Sequence, residues 1–204
     1  MPVQGGCAAG EDCNGPDNNP MDFNGHGTHV NGIVGAVTGN GAGGAGVAGG
    51  NRAARRPGVK LMGLRAGYEA SDGNGFVIMS ACAAATDYAI AKGAMGINCS
   101  WGSSGALIEA AIMNAVANGL VVCKAAGNDN VDQSDVVSLV PGVLAVASLE
   151  PNGGRSTFSN FGAWVDISAP GGGIYNTYSN SGVQSYATLS GTSMASPTTS
   201  TTRT

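Results

Sequence analysis

Apolar positions along the chain fall into short runs separated by glycine-rich or polar stretches, and the spacing inside each run predicts its element. Residues 1–25 carry Pro16, Asp17, Asn18, Asn19, Pro20 and Asn24 and read as surface loop. From His26 to about Val37, the residues Val30, Ile33 and Val34 recur at helical spacing, with Gly39 and Asn40 as a stop. Gly39 to Gly50 is a glycine-rich connection, and Val59 to Leu64 reads as a short buried strand. Gly75 to Ala91 has apolar residues throughout, many of them alanine, and is closed by Lys92-Gly93, which predicts a helix. Met95 to Ser100 reads as a strand and Ala106 to Asn118 as an amphipathic helix carrying Leu107, Ala111, Ile112, Ala115 and Val116. Leu120 to Cys123 is a further strand, and Val143 to Ala147 and Trp164 to Ile167 extend the sheet. Gly171 to Leu189 mixes Ser, Asn, Tyr and Gly and reads as loops and short hairpin pieces, while Thr198 to Thr204 carries no core pattern.

Strand, helix, strand, helix, strand is the order of a parallel sheet with helices packed on it, an α/β fold. Right-handed crossovers then gather the C-terminal strand ends along one edge, where such sheets usually bind ligands. A length of 204 residues suits a single domain. Apolar residues make up 43% and charged ones 11%, with 35 glycines, so the packing is tight and backbone-rich rather than aromatic.

A net charge of −4 argues against a nucleic-acid partner, since the basic residues Arg52, Arg55, Arg56 and Lys60 form only a small, loop-like group. No uninterrupted apolar run approaches the ~20 residues of a membrane helix, so no membrane association is expected. Of five cysteines, Cys7 and Cys13 lie close together in a polar loop, where a small disulfide is open, and Cys82, Cys99 and Cys123 read as buried small hydrophobes.

The chemistry centres on Gly191-Thr192-Ser193-Met194-Ala195-Ser196-Pro197, where small residues leave one hydroxyl unobstructed at a helix start, making Ser193 a candidate nucleophile. Its base must be one of two histidines, both in Asn24-Gly25-His26-Gly27-Thr28-His29-Val30. The i, i+3 spacing of His26 and His29 also admits a metal pair, although the Glu and third ligand of zinc helices are absent. Lys124-Ala125-Ala126-Gly127-Asn128 follows a buried strand; in isolation it is a turn, beside a nucleophile a candidate oxyanion site. The Gly41, Gly43, Gly46 spacing follows a helix instead of a strand, the wrong context for a dinucleotide site.

Taken in order, His26-Gly27-Thr28-His29-Val30, Ile97-Asn98-Cys99-Ser100-Trp101-Gly102, Ala126-Gly127-Asn128 and Gly191 to Pro197 resemble the motifs of the subtilisin-like serine proteases. Gly46-Val47-Ala48-Gly49, Phe158 to Gly162 and Ala169-Pro170-Gly171 add to the resemblance, which covers residues 20–197. It implies a three-layer fold, a mostly parallel sheet with helices on both faces. It also implies a secreted, monomeric endopeptidase acting on extended or unfolded polypeptide, needing no cofactor for chemistry. His26 matches the general base, Ser193 the nucleophile and Asn128 the oxyanion donor. Ser100, Trp101 and Gly102 match the segment that pairs with substrate backbone. Ala125, Ala126 and Gly127 match a wall of the primary specificity pocket, and His29 a position without a chemical role. Calcium is common in such proteins, but the loop Thr38 to Val47 is too glycine-rich for ligands to be assigned.

The pattern departs from the family at three points. The triad aspartate should end an early strand of the form Val-x-Val-x-Asp-Ser/Thr-Gly. Here Asp12, Asp17 and Asp22 lie in polar loop and Asp166 sits in a different context. The chain is therefore expected to lack this residue and to begin downstream of it. After Ser193 the family's motif runs into a long apolar helix, whereas Pro197 precedes Ser and Thr residues, so the catalytic domain reads as truncated at both ends, with 26–197 as core and 198–204 as tail. Lys124 lies where a strand should be buried and neutral, so its ammonium must reach solvent or a carboxylate. A serine endopeptidase weakened by the missing aspartate is the expected function. The alternatives are a catalytically dead protein-binding module and a metal-dependent hydrolase using His26 and His29.

Overall fold

A computed structural model describes residues 19–180 and 182–200. Its centre is a four-stranded parallel sheet in the order β3 (Gly96–Cys99), β4 (Val121–Ala125), β5 (Val143–Leu149), β6 (Ile167–Pro170). The register pairs Cys99 with Lys124, Lys124 with Ala145, and Ala125 with Val146. β4 is buried along nearly its whole length because both of its faces are covered, which explains the apolar run from Leu120 to Cys123 and makes Lys124 the exception.

Alternation along β4 sends successive side chains to opposite layers. Val122 packs with α2 (Met79–Ala91) and α3 (Ala106–Ala117), where Ile108, Ile112 and Ala115 lose all exposure together with Cys99. Cys123 faces the other way, against Ala195 of α4 (Thr192–Ser200), with Val146 and Ala169. α4 crosses β3 to β6, and α1 (His26–Gly35) packs beside it through Val30, Ile33 and Met194. The parallel sheet agrees with the strand–helix alternation, and helices on both of its faces give the three-layer α/β arrangement that the resemblance implies. α3 ends where expected, at Asn118 followed by Gly119 with φ +82°, a left-handed stop that glycine adopts without strain.

Five expectations are corrected. Val59 to Leu64 forms no strand, and Lys60 to Leu64 are exposed. Among the described residues no strand pairs with it, and Leu61, Met62 and Leu64 stand 45%, 41% and 38% exposed. An apolar run becomes a strand only where a neighbouring edge can take its backbone groups. The helix predicted from Gly75 starts at Met79, because Gly75–Val77 forms β2 and pairs antiparallel with β1 (Gly67–Glu69), with the Tyr68 and Phe76 rings stacked at 5.8 Å.

The strand predicted at Trp164 to Ile167 begins only at Ile167. Asp166 already pairs with β5, its N–H donating to Ala145 O (3.0 Å) and its carboxylate accepting from Ala145 N–H (2.8 Å). Gly171 to Leu189 contains a full hairpin, β7 (Ile174–Asn180) with β8 (Val183–Leu189). Thr198 to Ser200 continue α4, with Thr199 buried, so core rather than tail extends past Pro197. The Cys7–Cys13 pair and the rest of the terminal loop through residue 18 lie outside the described residues.

Burial pushes the thiols of Cys82 and Cys123 up to about 11 and that of Cys99 up to about 12. Thiolate is the reactive form. Iodoacetamide at pH 8 followed by peptide mapping should leave Cys82, Cys99 and Cys123 unmodified in the native protein and alkylate all three once denaturant is added. Native alkylation of any of them would contradict the packing described.

Candidate active site

Because β3 and β4 run parallel, Ser100-Trp101-Gly102 and Ala126-Gly127-Asn128 emerge side by side from the same edge of the sheet. Gly127 has φ +104°, and a Cβ there would strike the Asn160 amide, so this turn requires glycine. Asn160 organises the turn. Its N–H donates to Gly127 O (2.9 Å) and its Oδ1 accepts from Asp129 N–H (2.9 Å) and Val131 N–H (3.3 Å).

The first turn of α4 docks on these loops. Thr192 donates from both N–H (2.8 Å) and Oγ1 (3.0 Å) to Asn128 Oδ1, while Thr192 Oγ1 accepts from Gly127 N–H (3.1 Å). With its carbonyl oxygen so occupied, Asn128 keeps its NH₂ group free to donate. Ser193 Oγ donates to Ser100 O (3.2 Å), and Ser100 Oγ returns a bond to Ser193 O (2.8 Å). Behind them, Asn98 donates to Ser100 Oγ (2.9 Å) and accepts from Ser196 Oγ (2.7 Å). The Ser193 N–H lies in the helix's first turn, where amides have no intrahelical acceptor. Thr192, Asn98 and Asn160 all lie inside the sequence motifs, but no role was assigned to them there; their hydrogen bonds to the site emerge only in the fold.

His26 opens α1, whose start is held from several sides. Asp22 accepts from Asn24 N–H (3.1 Å) and Gly25 N–H (2.8 Å) on one oxygen, and from Thr28 N–H and Oγ1 (both 2.7 Å) on the other. Tyr178 Oη donates to Asn24 O (2.6 Å), its ring lying where a Gly25 side chain would be. Burial pushes the His26 imidazole below its ordinary value; the Asp22 charge opposes this and His29 adds to it. Asp22 is thus committed to the turn, and among the described residues no carboxylate hydrogen-bonds the His26 ring. Nor does Ser193 Oγ, which donates to Ser100 instead. The two residues are related through the packing of α1 on α4.

His29 is fully buried, its Nε2 3.0 Å from Ile174 O and 3.2 Å from Ala187 O. Two carbonyl partners require that Nε2 carry the proton, and Nδ1 is buried without a partner. His29 thereby clamps α1 onto the β7–β8 hairpin, which is incompatible with pairing His26 on a metal through Nε2. Among the described residues no group of three His, Cys, Asp or Glu side chains is placed to share a metal. The glycine-rich loop 37–45 surrounds a cavity of about 220 Å³ but offers carbonyl and amide oxygens with no carboxylate, so no calcium ligand set is assigned there.

A cavity of about 510 Å³ opens beside Ser193, walled by 101–102 and 125–127 and lined also by Asn128. Ser100 and His26 lie outside this lining. Lys124 and Asp135 belong to it. Lys124 is only 2% exposed, and its Nζ donates to Asp135 Oδ2 (2.8 Å) and Ala125 O (2.8 Å), 5.9 Å from the centre of the Trp101 ring. The carboxylate that a buried ammonium demands is therefore present. Burial alone would raise the Asp135 carboxyl, but Lys124, by charge and hydrogen bond, with donors from Ser103 and Ser138, holds it below the ordinary value.

With this geometry in place, comparison with known proteins assigns the class. The model of the subtilase family, Peptidase S8, matches residues 8–202, and the chain belongs to that family. It is 38% identical to thermitase from Thermoactinomyces vulgaris over 183 residues, covering 89% of this chain and 60% of thermitase. It is 39% identical to an extracellular protease from Xanthomonas campestris pv. campestris, covering 84% of this chain and 30% of that protein. Among solved structures it superposes on a cold-adapted subtilisin-like serine proteinase with a TM-score of 0.70 at 30% identity, covering 91% of this chain and 62% of that one. The chain thus spans about 60% of the length of thermitase.

The Lys124–Asp135 pair makes a signed prediction. A depressed native carboxyl stabilises the fold above the unfolded pKa of about 3.9, and this contribution is lost as pH falls through the native value. Asp135→Asn strands a buried ammonium and should cost roughly 3–5 kcal/mol at pH 7. Urea unfolding of the two proteins should show that gap narrowing below about pH 4; a gap independent of pH would count against the pair.

Proposed function

We propose that the protein is a serine endopeptidase of subtilisin type, hydrolysing peptide bonds through an acyl-enzyme. The observation that carries this reading is the docking of Thr192 on Asn128, which leaves an amide donor free in the cavity that Ser193 also lines. An extended polypeptide lies along Ser100, Trp101 and Gly102, its backbone read by main-chain pairing, with the preceding side chain against Ala125, Ala126 and Gly127. Ser193 Oγ attacks the scissile carbonyl and passes its proton to His26. Asn128 Nδ2 and the Ser193 N–H receive the developing oxyanion. His26 returns the proton to the leaving amine, and water then cleaves the ester by the reverse path. The depressed basicity of His26 keeps it unprotonated and ready to accept a proton near neutral pH. Subtilase chemistry needs no cofactor. Kinship with an extracellular protease supports secretion, and among the described residues no helix is long and apolar enough to cross a membrane.

That no carboxylate among the described residues hydrogen-bonds the His26 ring favours a second reading, a subtilase-like module that binds polypeptide without turning it over. In subtilisin itself, loss of the orienting aspartate lowers kcat roughly 3 × 10⁴-fold. A fluorophosphonate probe separates the readings. Under the first, Ser193 is labelled slowly, labelling disappears in Ser193→Ala, and Asn128→Ala slows it by about the 10²–10³ known for an oxyanion donor in subtilisin. Absence of label, or label that survives Ser193→Ala, selects the second reading.

The pH dependence of labelling tests the base. His26 must be neutral to accept a proton, so the rate should fall on the acid side with a midpoint below the ordinary imidazole value of about 6.5. Asp22→Asn removes the charge that raises His26 and should move the midpoint lower still. A midpoint above 6.5, or one indifferent to Asp22, would remove His26 from the role.

A further inference from the structure

We propose that Lys124 is a specificity determinant, selecting an uncharged side chain with a carbonyl acceptor, of the glutamine class, at the residue preceding the scissile bond. The inference rests on Ser193 being the nucleophile, because that fixes which substrate side chain enters the cavity. Lys124 sits at the C-terminal end of β4, on the face shared with Val122, and lines the same cavity as Ser193 and Asn128 although it is almost wholly buried.

Counting donors and acceptors defines what the wall can still bind. Asp135 Oδ1 accepts from Ser138 N–H (3.0 Å) and Oγ (2.9 Å), and its Oδ2 accepts from Ser103 N–H (2.9 Å) and Lys124 Nζ (2.8 Å). Four donors fill a carboxylate's four lone-pair sites. Lys124 has three N–H donors, of which Asp135 and Ala125 O take two. The pair therefore offers one spare donor, no spare acceptor and no net charge.

Each class of side chain meets that wall differently. Leucine or phenylalanine would seal the cavity with the third N–H of the ammonium left without an acceptor. Lysine or arginine would bring a second cation to a carboxylate with no free lone pair. Glutamate would set a second anion beside Asp135. A neutral amide supplies the acceptor and leaves the pair balanced.

The test measures binding rather than turnover. Fluorescein-labelled tetrapeptides with free C-terminal carboxylates, alike except for a terminal Gln, Leu, Lys or Glu, mimic the acyl product, and fluorescence anisotropy with the 204-residue chain gives their affinities. The Gln peptide should bind about tenfold more tightly than the Leu peptide, the ratio expected for a hydrogen bond to a charged donor. Lys124→Met should bring the ratio close to one. Because that variant leaves the Asp135 carboxylate without its cation, Lys124→Met/Asp135→Asn is measured alongside it, the amide oxygen keeping the bonds from Ser138 while the bond from Ser103 N–H is given up; the ratio should collapse there too. Tighter binding of the Leu, Lys or Glu peptide, a Gln:Leu ratio that survives the double variant, or no binding by any peptide would overturn the assignment. Failure of Ser193 to take a fluorophosphonate would instead strike the hydrolytic reading, so the two failures are distinguishable.

Discussion

The seating of α4's first turn on the loop after β4 is the constraint from which the site follows. One threonine makes the junction. Thr192 bonds to Asn128 through backbone and hydroxyl and receives the amide of Gly127, so a helix start, an asparagine side chain and a strand-end turn become one rigid object. Beneath it, Ala195 packs on Cys123, Val146 and Ala169, so the helix cannot shift without opening the core. Chemistry that needs donors fixed to fractions of an ångström is thus anchored in apolar packing rather than in the loops that display it.

The candidate base is supported differently. No single partner holds His26. Its place is set by the turn that Asp22 caps, by the Tyr178 ring beneath Gly25, and by His29, which bolts α1 to the hairpin from within the core. Backbone and neighbours thereby fix where α1 begins, while the ring itself has no carboxylate to choose its tautomer among the described residues. The half of the candidate site built around Ser193 is tightly bonded, and the half built around His26 is positioned by its neighbours, with no carboxylate among the described residues bonded to the ring.

What the sequence disclosed divides along the line between local and non-local physics. The strands at 121–125 and 143–149 were legible because double-sided burial writes apolar residues into the chain, whereas the edge strand at 96–99 was legible from its place in the strand–helix alternation. Lys124 was legible as a problem, since an ammonium inside a sheet demands a carboxylate, but nothing local pointed to Asp135 as the answer. The exposed run 59–64 was misread because its hydrophobicity is strand-like and strand formation depends on a distant edge. Asp166 was misread as mid-strand because its pairing with Ala145 uses a side chain. Thr198 to Ser200 looked like tail, yet packing of α4 on the sheet carries the helix through them despite their polar, β-branched character. The motif residues His26, Asn128 and Ser193 were singled out by their local sequences, whereas the side chains that orient them come from remote segments.

The unpaired stretch at 59–64 has a colloidal consequence. Leu61, Met62 and Leu64 present apolar surface on a segment outside any strand, while β3 ends the four-stranded sheet. Bare strand edges and extended apolar segments recruit one another between molecules unless charge or covering structure intervenes. Lys60 and Arg65, flanking the stretch, are the nearby gatekeepers against such stacking. Solutions of this chain should therefore grow more prone to precipitate with rising salt, as the repulsion from those cations is screened and the apolar stretch between them is left to act alone.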